Sequence, residues 1–285
     1  MGAINLGSRN AGAIFGGAAL MLMAGLVPSI LQAIGHGFSS SPILAWVIPM
    51  MAVGYWLFVM MPLGAGFYQL IHATETGRPT RAMSIFEVFR DTPMVLRMAG
   101  LGLSVILLVF IIGLVMRLLL GQDFVAGLAG WIQALGTIDQ QNPVLPPAPE
   151  KLGVFVAMSL LFGMFFGGVY MLAFGQAALG DGKLSGALKD GLIGAFKNVL
   201  PLLLVSLLCL VMGAVGLVVF VLVVGLLVVV GSLVNAGFGP LIMLPVYFGW
   251  TMLVYVIAYG VGYFMWRDVC SGQEVVPGRG HHVTL

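Results

Sequence analysis

The side chains with chemistry to offer are few, and they fall into two sets. Tyr247, Thr251, Tyr255, Tyr259 and Tyr263 recur every four residues in an otherwise apolar stretch. In a helix that spacing keeps the five hydroxyls on one slowly drifting face. Such a ladder would suit the wall of a polar cavity or a path for lipid headgroups. Hydrogen bonds between packed helices would use the same hydroxyls, at roughly 0.6–2 kcal/mol each, and are the more ordinary use. The second set is basic: Arg78, Arg81, Arg90, Arg97, Lys183, Lys189 and Lys197, gathered in two short polar stretches. Cations clustered beside apolar spans can hold anionic lipid headgroups, or can simply mark the cytoplasmic side.

Catalytic patterns are missing from the sequence. His36, His72, His281 and His282 form no His-Glu-x-x-His helix, there is no Cys-x-x-Cys, and neither a Gly-x-Ser-x-Gly elbow nor a phosphate-binding loop occurs. Cys209 and Cys270 are too few for a disulfide framework and read as packed or incidental thiols. The expectation is a protein that is not an enzyme and needs neither metal nor cofactor. A net charge of +2 is too small to imply a nucleic-acid partner.

The elements that carry these residues follow from composition. The chain has 285 residues, 60% of them hydrophobic and 8% charged, with a mean hydropathy of +1.10. A soluble domain has about 25% charged residues, so the solvent here must be lipid. From Asn10 to Thr74 no Asp, Glu, Lys or Arg occurs, a block of 65 residues, and from Asn198 to Trp266 there is a second such block of 69. A span needs about 20 apolar residues, so each block holds two spans and a turn. With two more between them, six transmembrane helices are expected near residues 11–34, 43–71, 94–120, 152–179, 199–230 and 240–266. The first is too long for the apolar core of a signal peptide and reads as a retained helix. The fifth, at 32 residues, would exceed the bilayer core and is expected to tilt, run into the interface, or break near Gly213 or Gly216.

Two polar elbows link spans. The first, from Thr74 to Asp91, has a turn with Gly77 and Pro79 and then a short amphipathic helix, with Ile85, Phe86 and Phe89 against Glu87, Arg90 and Asp91. Its apolar side should rest in the acyl boundary. Thr92 and Pro93 look like the cap and first residue of the next span, and Glu87 and Asp91 like ion-pair partners for Arg90 or Arg97. The second elbow, around Gly180–Asn198, echoes the first. Both follow a Gly-x-Tyr (Gly66 to Tyr68, Gly168 to Tyr170) and both reach Phe-basic-Asp/Asn (Phe89 to Asp91, Phe196 to Asn198). Tyr68 and Tyr170 read as belt tyrosines, as Trp46, Trp131 and Trp266 read as belt tryptophans. Between the third and fourth spans, Phe124–Gly136 is apolar enough to rest on the membrane, and the run with Pro143, Pro146, Pro147 and Pro149 must be extended.

Counting Lys and Arg on each side of the six spans gives ten against two, with only Arg117 and Lys151 on the poorer side. Both elbows and both termini are therefore expected in the cytoplasm. The elbows share a side, so any repeat is parallel rather than inverted. No Asp or Glu falls inside an expected span, which argues against transport coupled to protons or sodium through buried carboxylates.

Six spans with elbows of this Gly-x-Tyr and Phe-Arg/Lys-Asp/Asn type resemble uncharacterised families of bacterial six-span inner-membrane proteins. They are also distantly similar to the membrane domain fused to some glycerophosphodiester phosphodiesterases. The resemblance implies an all-α polytopic bundle in a bacterial inner membrane, with two short cytoplasmic interfacial helices. No phosphodiesterase domain accompanies it, so that activity is not implied. The residues suit a non-enzymatic membrane protein that organises or assembles a membrane complex or its lipids, with membrane lipids and other membrane proteins as partners. The alternative is a transporter or lipid-handling permease for a small uncharged or anionic molecule, which the hydroxyl ladder and a breakable fifth span would suit.

Overall fold

The computed structural model describes residues 10–37, 42–137, 145–180, 182–234 and 238–270. Among them there is no strand. Helix α1 covers Ala11–Gly37. The second span is built from α2 (Pro42–Tyr55), a π-helical turn (Trp56–Met60) and α3 (Met61–Glu75). A 3₁₀ helix, Ala82–Arg90, forms the first elbow. Helix α4 is Thr92–Leu120 and α5 is Gln122–Gly136. Then come α6 (Leu152–Leu179), the second elbow helix α7 (Leu184–Lys197), α8 (Val199–Val234) and α9 (Phe238–Val269). Six helical stretches are long and apolar enough to cross a membrane: Ala11–Ala33, Trp46–Glu75, Thr92–Leu120, Leu152–Leu179, Val199–Leu233 and Leu241–Val269. The chain is an all-α polytopic membrane protein. Its spans end within a few residues of the expected limits, except that the second runs four residues further into the elbow.

The π-turn has a local cause. Pro62 lacks an N–H, and its ring would clash with the carbonyl four residues earlier. The helix widens just before it, and the Met61 N–H reaches back to the Trp56 carbonyl. Of the three expected ways to fit the long fifth span, helix α8 excludes the break: all 36 residues form one uninterrupted helix. At 1.5 Å per residue it is about 54 Å long. Its proline, Pro201, lies in the first turn, where a missing N–H costs nothing. Gly216 does not break it but gives a seat to the Trp250 ring of α9.

Contacts fix which helix ends lie together. Arg97, near the start of α4, donates to the carbonyls of Gly180 and Gly182 at 2.9 and 2.6 Å, so both elbows sit at one end of the bundle. The Asn10 amide donates to the Thr80 carbonyl of the first elbow. Glu75 and Arg267, at the ends of α3 and α9, are 3.8 Å apart. The proline-rich connector lies at the other end, where Lys151 Nζ donates to the Leu120 carbonyl that closes α4, at 3.0 Å. Helix α5 also lies there, and Trp131 Nε1 donates to the Pro146 carbonyl. Pro143 is outside the described residues.

Packing is lopsided along the bundle axis. The main core is built from Ala13–Met21 of α1, Met61–Ile71 of α3, Ile85 and Val88 of the first elbow, Met94–Leu101 of α4, Ala173–Ala178 of α6, and Val256–Trp266 of α9. Every one of these segments is the elbow-side half of its helix. In the other half the large apolar side chains point outward: Ile106, Leu107, Phe110 and Leu114 of α4, Val154 and Leu161 of α6, and Leu241 and Leu244 of α9. The bundle is closed at the elbow end and open at the connector end.

Gly66 makes the closed end possible. The first elbow helix lies so close to α3 that a Cβ on Gly66 would run into the Ile85 carbonyl. The second elbow uses the opposite arrangement. There the glycine is on the elbow helix, with Gly191 set against the backbone of Val169 and Ala173. The two elbows thus share a location but neither helix type nor contact.

Replacing Gly66 with alanine is expected to lower the unfolding temperature in mild detergent by about 5 °C or more, since overpacking against backbone costs roughly 1–3 kcal/mol. Gly213→Ala in α8, where a Cβ meets nothing within 4 Å, should not lower it. Intrinsic-fluorescence melts of both variants check this.

Candidate functional site

The first elbow builds a cleft of about 930 Å³. Helix α3 stops because Gly77 takes a positive φ of 73°, which lets the Arg78 N–H return to the Ala73 carbonyl at 2.9 Å. The chain then turns through Pro79, and Ser84 holds the start of the 3₁₀ helix by donating to the Arg81 carbonyl at 2.7 Å. Ser84 and Thr80 share a hydrogen bond of 2.9 Å. In this 3₁₀ helix residues three apart eclipse one another, so Ile85 and Val88 form the buried edge. Ile85, expected with Phe86 and Phe89 on the side that rests in the acyl boundary, is instead in the core, while Phe86 and Phe89 are both 38% exposed. The turn and the helix together bring Arg78, Arg81 and Arg90 to the cleft, with Gln69 and Ser84 as neutral hydrogen-bonding groups and Glu87 as its one carboxylate. Among the described residues, Glu87 is not within ion-pair distance of any of the three arginines.

A second cleft of about 490 Å³ opens where the two elbows meet, lined by Asp91, Arg97 and Lys183 among others. Arg97 is not free to serve a ligand with its whole guanidinium: two carbonyls of the α6–α7 turn already take Nη1. Its Nε is the one buried side-chain polar atom without a hydrogen-bond partner among the described residues. Asp91 does not pair with Arg97 or Arg90 but accepts from the Met94 N–H at 3.2 Å. The cap of α4 is therefore Asp91, one residue before the expected Thr92. Lys189 and Lys197 are exposed on α7 and line neither cleft. The basic set thus divides into a converging trio, a structural tie with Lys183 beside it, and two separate surface lysines.

The hydroxyl ladder divides as well. Tyr263 is buried and shares a hydrogen bond of 3.1 Å with His72 Nδ1. The Tyr259 ring meets Phe67 and Tyr68 edge-on, at 5.3 and 5.8 Å between centroids. Tyr255 follows at 6.2 Å from Tyr259. Thr251 donates back to the Tyr247 carbonyl of its own helix at 2.8 Å, and Tyr247 is 44% exposed. No residue of the ladder lines either elbow cleft. Two expected belt residues also belong to the interior. Tyr68 is 3% exposed, and Trp266 packs over Gly175 and donates from Nε1 to Gln176 Oε1 at 3.0 Å. Trp46, by contrast, is exposed at 76%, as a belt residue should be.

Among the described residues no group of three His, Cys, Asp or Glu side chains could hold a metal ion. Cys270, just past the sixth span, is half-buried against α7, and burial together with the Asp190 carboxylate pushes its thiol up. That environment disfavours the reactive thiolate. Comparisons of the chain with protein-family models, with curated proteins and with solved structures give no match.

Two substitutions separate packing from chemistry at the ladder. Tyr259→Phe keeps the ring contacts and should leave the melting temperature unchanged within about 2 °C, whereas Tyr259→Ala should cost roughly 3–5 kcal/mol. Thermal unfolding of the purified variants reads both. Arg97→Gln leaves two turn carbonyls without a charged donor, and a loss of about 1.5–3 kcal/mol is expected in the same assay.

Proposed function

We propose that this is a non-enzymatic protein of a bacterial inner membrane that acts by contact. Its elbow end, facing the cytoplasm, holds the phosphates of anionic lipids and so organises lipid, and the membrane proteins that share it, around the bundle. The observation that carries this reading is the convergence of Arg78, Arg81 and Arg90 on one cleft at the elbow end, with no carboxylate pairing them among the described residues. Three guanidiniums left unneutralised by protein select for an anion. Their fork geometry matches phosphate oxygens in pairs. Phe86, Phe89 and Met83, exposed on the same short helix, would enter the acyl boundary beside the headgroup. Each basic residue near an anionic membrane surface contributes about 1 kcal/mol.

A permease path along the sixth span finds less support. The fifth span is one continuous helix, and Tyr259 and Tyr263 are spent on ring packing and a histidine contact.

Purification in mild detergent followed by lipid analysis tests the proposal. The wild type should retain phosphatidylglycerol or cardiolipin in excess over zwitterionic lipid. The triple variant Arg78→Gln, Arg81→Gln, Arg90→Gln should lose most of that excess at an unchanged melting temperature. Inorganic phosphate at millimolar concentration should not displace the lipid; displacement would assign the cleft to a soluble anion instead. Equal lipid retention by both proteins would end this reading. Orientation is tested in a background without Cys209 and Cys270. A cysteine at Gly182 should be shielded from an impermeant thiol reagent in intact cells, and one at Ala148 labelled.

A further inference from the structure

The open half of the bundle contains a third cavity, of about 570 Å³, between α4 and α6, with α5 across its end. Its lining runs along α4 from Val105 to Leu120 and along α6 from Phe155 to Tyr170. The helices are antiparallel, so the two stretches flank the same path. Fifteen residues of helix rise about 22 Å, more than the ~15 Å that one leaflet contributes to a ~30 Å core. Gly113 of α4 and Gly163 and Gly167 of α6 line the groove, and a Cβ on any of the three would meet nothing within 4 Å. These glycines are therefore not seats for a neighbouring helix of this chain. They leave space. At the connector end the groove meets Arg117, which is exposed and has no ion pair or hydrogen bond among the described residues. Lys151 is fastened to the Leu120 carbonyl beside it. Asp123 and Glu150 lie at this end too, but neither is within ion-pair distance of Arg117.

We propose that this groove is a binding site for one acyl chain of an anionic phospholipid whose phosphate sits at Arg117. The chemistry of the two parts is complementary to that ligand and to little else. An apolar channel as deep as a leaflet, with a single unneutralised guanidinium at its headgroup-level mouth, matches a chain that ends in a phosphate. Spread over ~22 Å, the volume corresponds to a channel about 6 Å wide, against the 10–12 Å of a helix with its side chains. That width suits a single acyl chain. The site is independent of the basic cleft at the elbows: it lies at the opposite end of the bundle and shares no residue with it. If the elbows face the cytoplasm, the lipid held here belongs to the other leaflet. The protein would then hold anionic lipid from both leaflets, at different positions around its circumference.

The test is photocrosslinking of the full-length protein in liposomes. The probes are phosphatidylglycerol and phosphatidylethanolamine that carry a diazirine at the end of one acyl chain. Crosslinks from phosphatidylglycerol should map to Val105–Val109 and Phe162–Tyr170. Arg117→Gln, an exposed change that leaves the packing intact, should reduce the preference for phosphatidylglycerol over phosphatidylethanolamine about fivefold. Gly163→Phe, which fills the open space, should remove the crosslinks to α4 and α6 with both probes. The triple elbow variant should leave this labelling as in the wild type. The proposal is overturned if the two probes label the groove equally in the wild type, if Arg117→Gln leaves their ratio unchanged, or if the crosslinks map elsewhere. Should Gly163→Phe not fold, Arg117→Gln and the wild-type map decide alone. Labelling lost in the elbow variant but kept in Arg117→Gln would assign the signal to the elbow cleft.

Discussion

One guanidinium fastens the turn of the second elbow to the start of α4. The turn between α6 and α7 leaves the carbonyls of Gly180 and Gly182 without helical partners, and Arg97, at the start of α4, supplies protons to both. Carbonyls left bare near the membrane interface are costly, and a charged donor is the strong remedy. Because Arg97 sits one turn into α4, the same contact that caps the fourth span sets the height of the third against it. The first elbow, fastened to α4 through Asp91 and to α3 through the close approach at Gly66, is thereby held level with the second. Removing this tie would free the turn of the second elbow from the start of α4, and leave the two halves joined at this end by apolar packing, the His72–Tyr263 hydrogen bond and the Glu75–Arg267 contact.

Apolar side chains give little reason for spans to stay together in lipid. The tails of the solvent are as apolar as leucine, so association depends on close packing and polar contacts. Both are concentrated at the elbow end. The ring cluster of Phe67, Tyr68, Phe174 and Tyr259, the His72–Tyr263 hydrogen bond and the Trp266–Gln176 pair all lie there. The connector end has a smaller cluster around Met116, Leu120 and Phe124, backed by the Lys151 and Trp131 contacts. Between these two lies the groove beside Gly113 and Gly163, where no neighbouring side chain fills the space.

This solvent also explains which features were legible in the sequence. Charge-free blocks and their lengths are statements about the bilayer, so six spans and their limits could be read directly. So could the shared side of the two elbows, because Lys and Arg positions mark sides. Inside and outside could not be read. A helix that is apolar all round carries no stripe to show which face meets protein. Tyr68 therefore looked like an interfacial residue and is in the core, and the five-hydroxyl ladder looked uniform but splits where packing ends. The cap at Asp91 is hidden in the sequence because Thr92-Pro93 is itself a good opening pair. At the first elbow the sequence does not show the helix type: Ile85 and Val88 follow the three-residue repeat of a 3₁₀ helix and turn into the core, while Phe86 and Phe89 stay on the outside, where an acyl boundary would meet them.

The cations can be sorted by the same reasoning. A basic residue that only marks a side needs no particular neighbour, and among the described residues the side chains of Lys189 and Lys197 have no ion pair or hydrogen bond. One that is part of the fold is consumed by it, as Arg97 is by two carbonyls and Lys151 by one. The remainder are cations that line a cavity and have no ion pair among the described residues: Arg78, Arg81 and Arg90 at one end, Arg117 at the other. With a charged fraction of only 8%, four such groups are a third of the chain's Lys and Arg. Holding them beside empty space has a self-repulsion and ordering cost that nothing in the described protein repays. An anion from the surrounding membrane would repay it at both ends, because the medium that supplies the apolar solvent also supplies the phosphate.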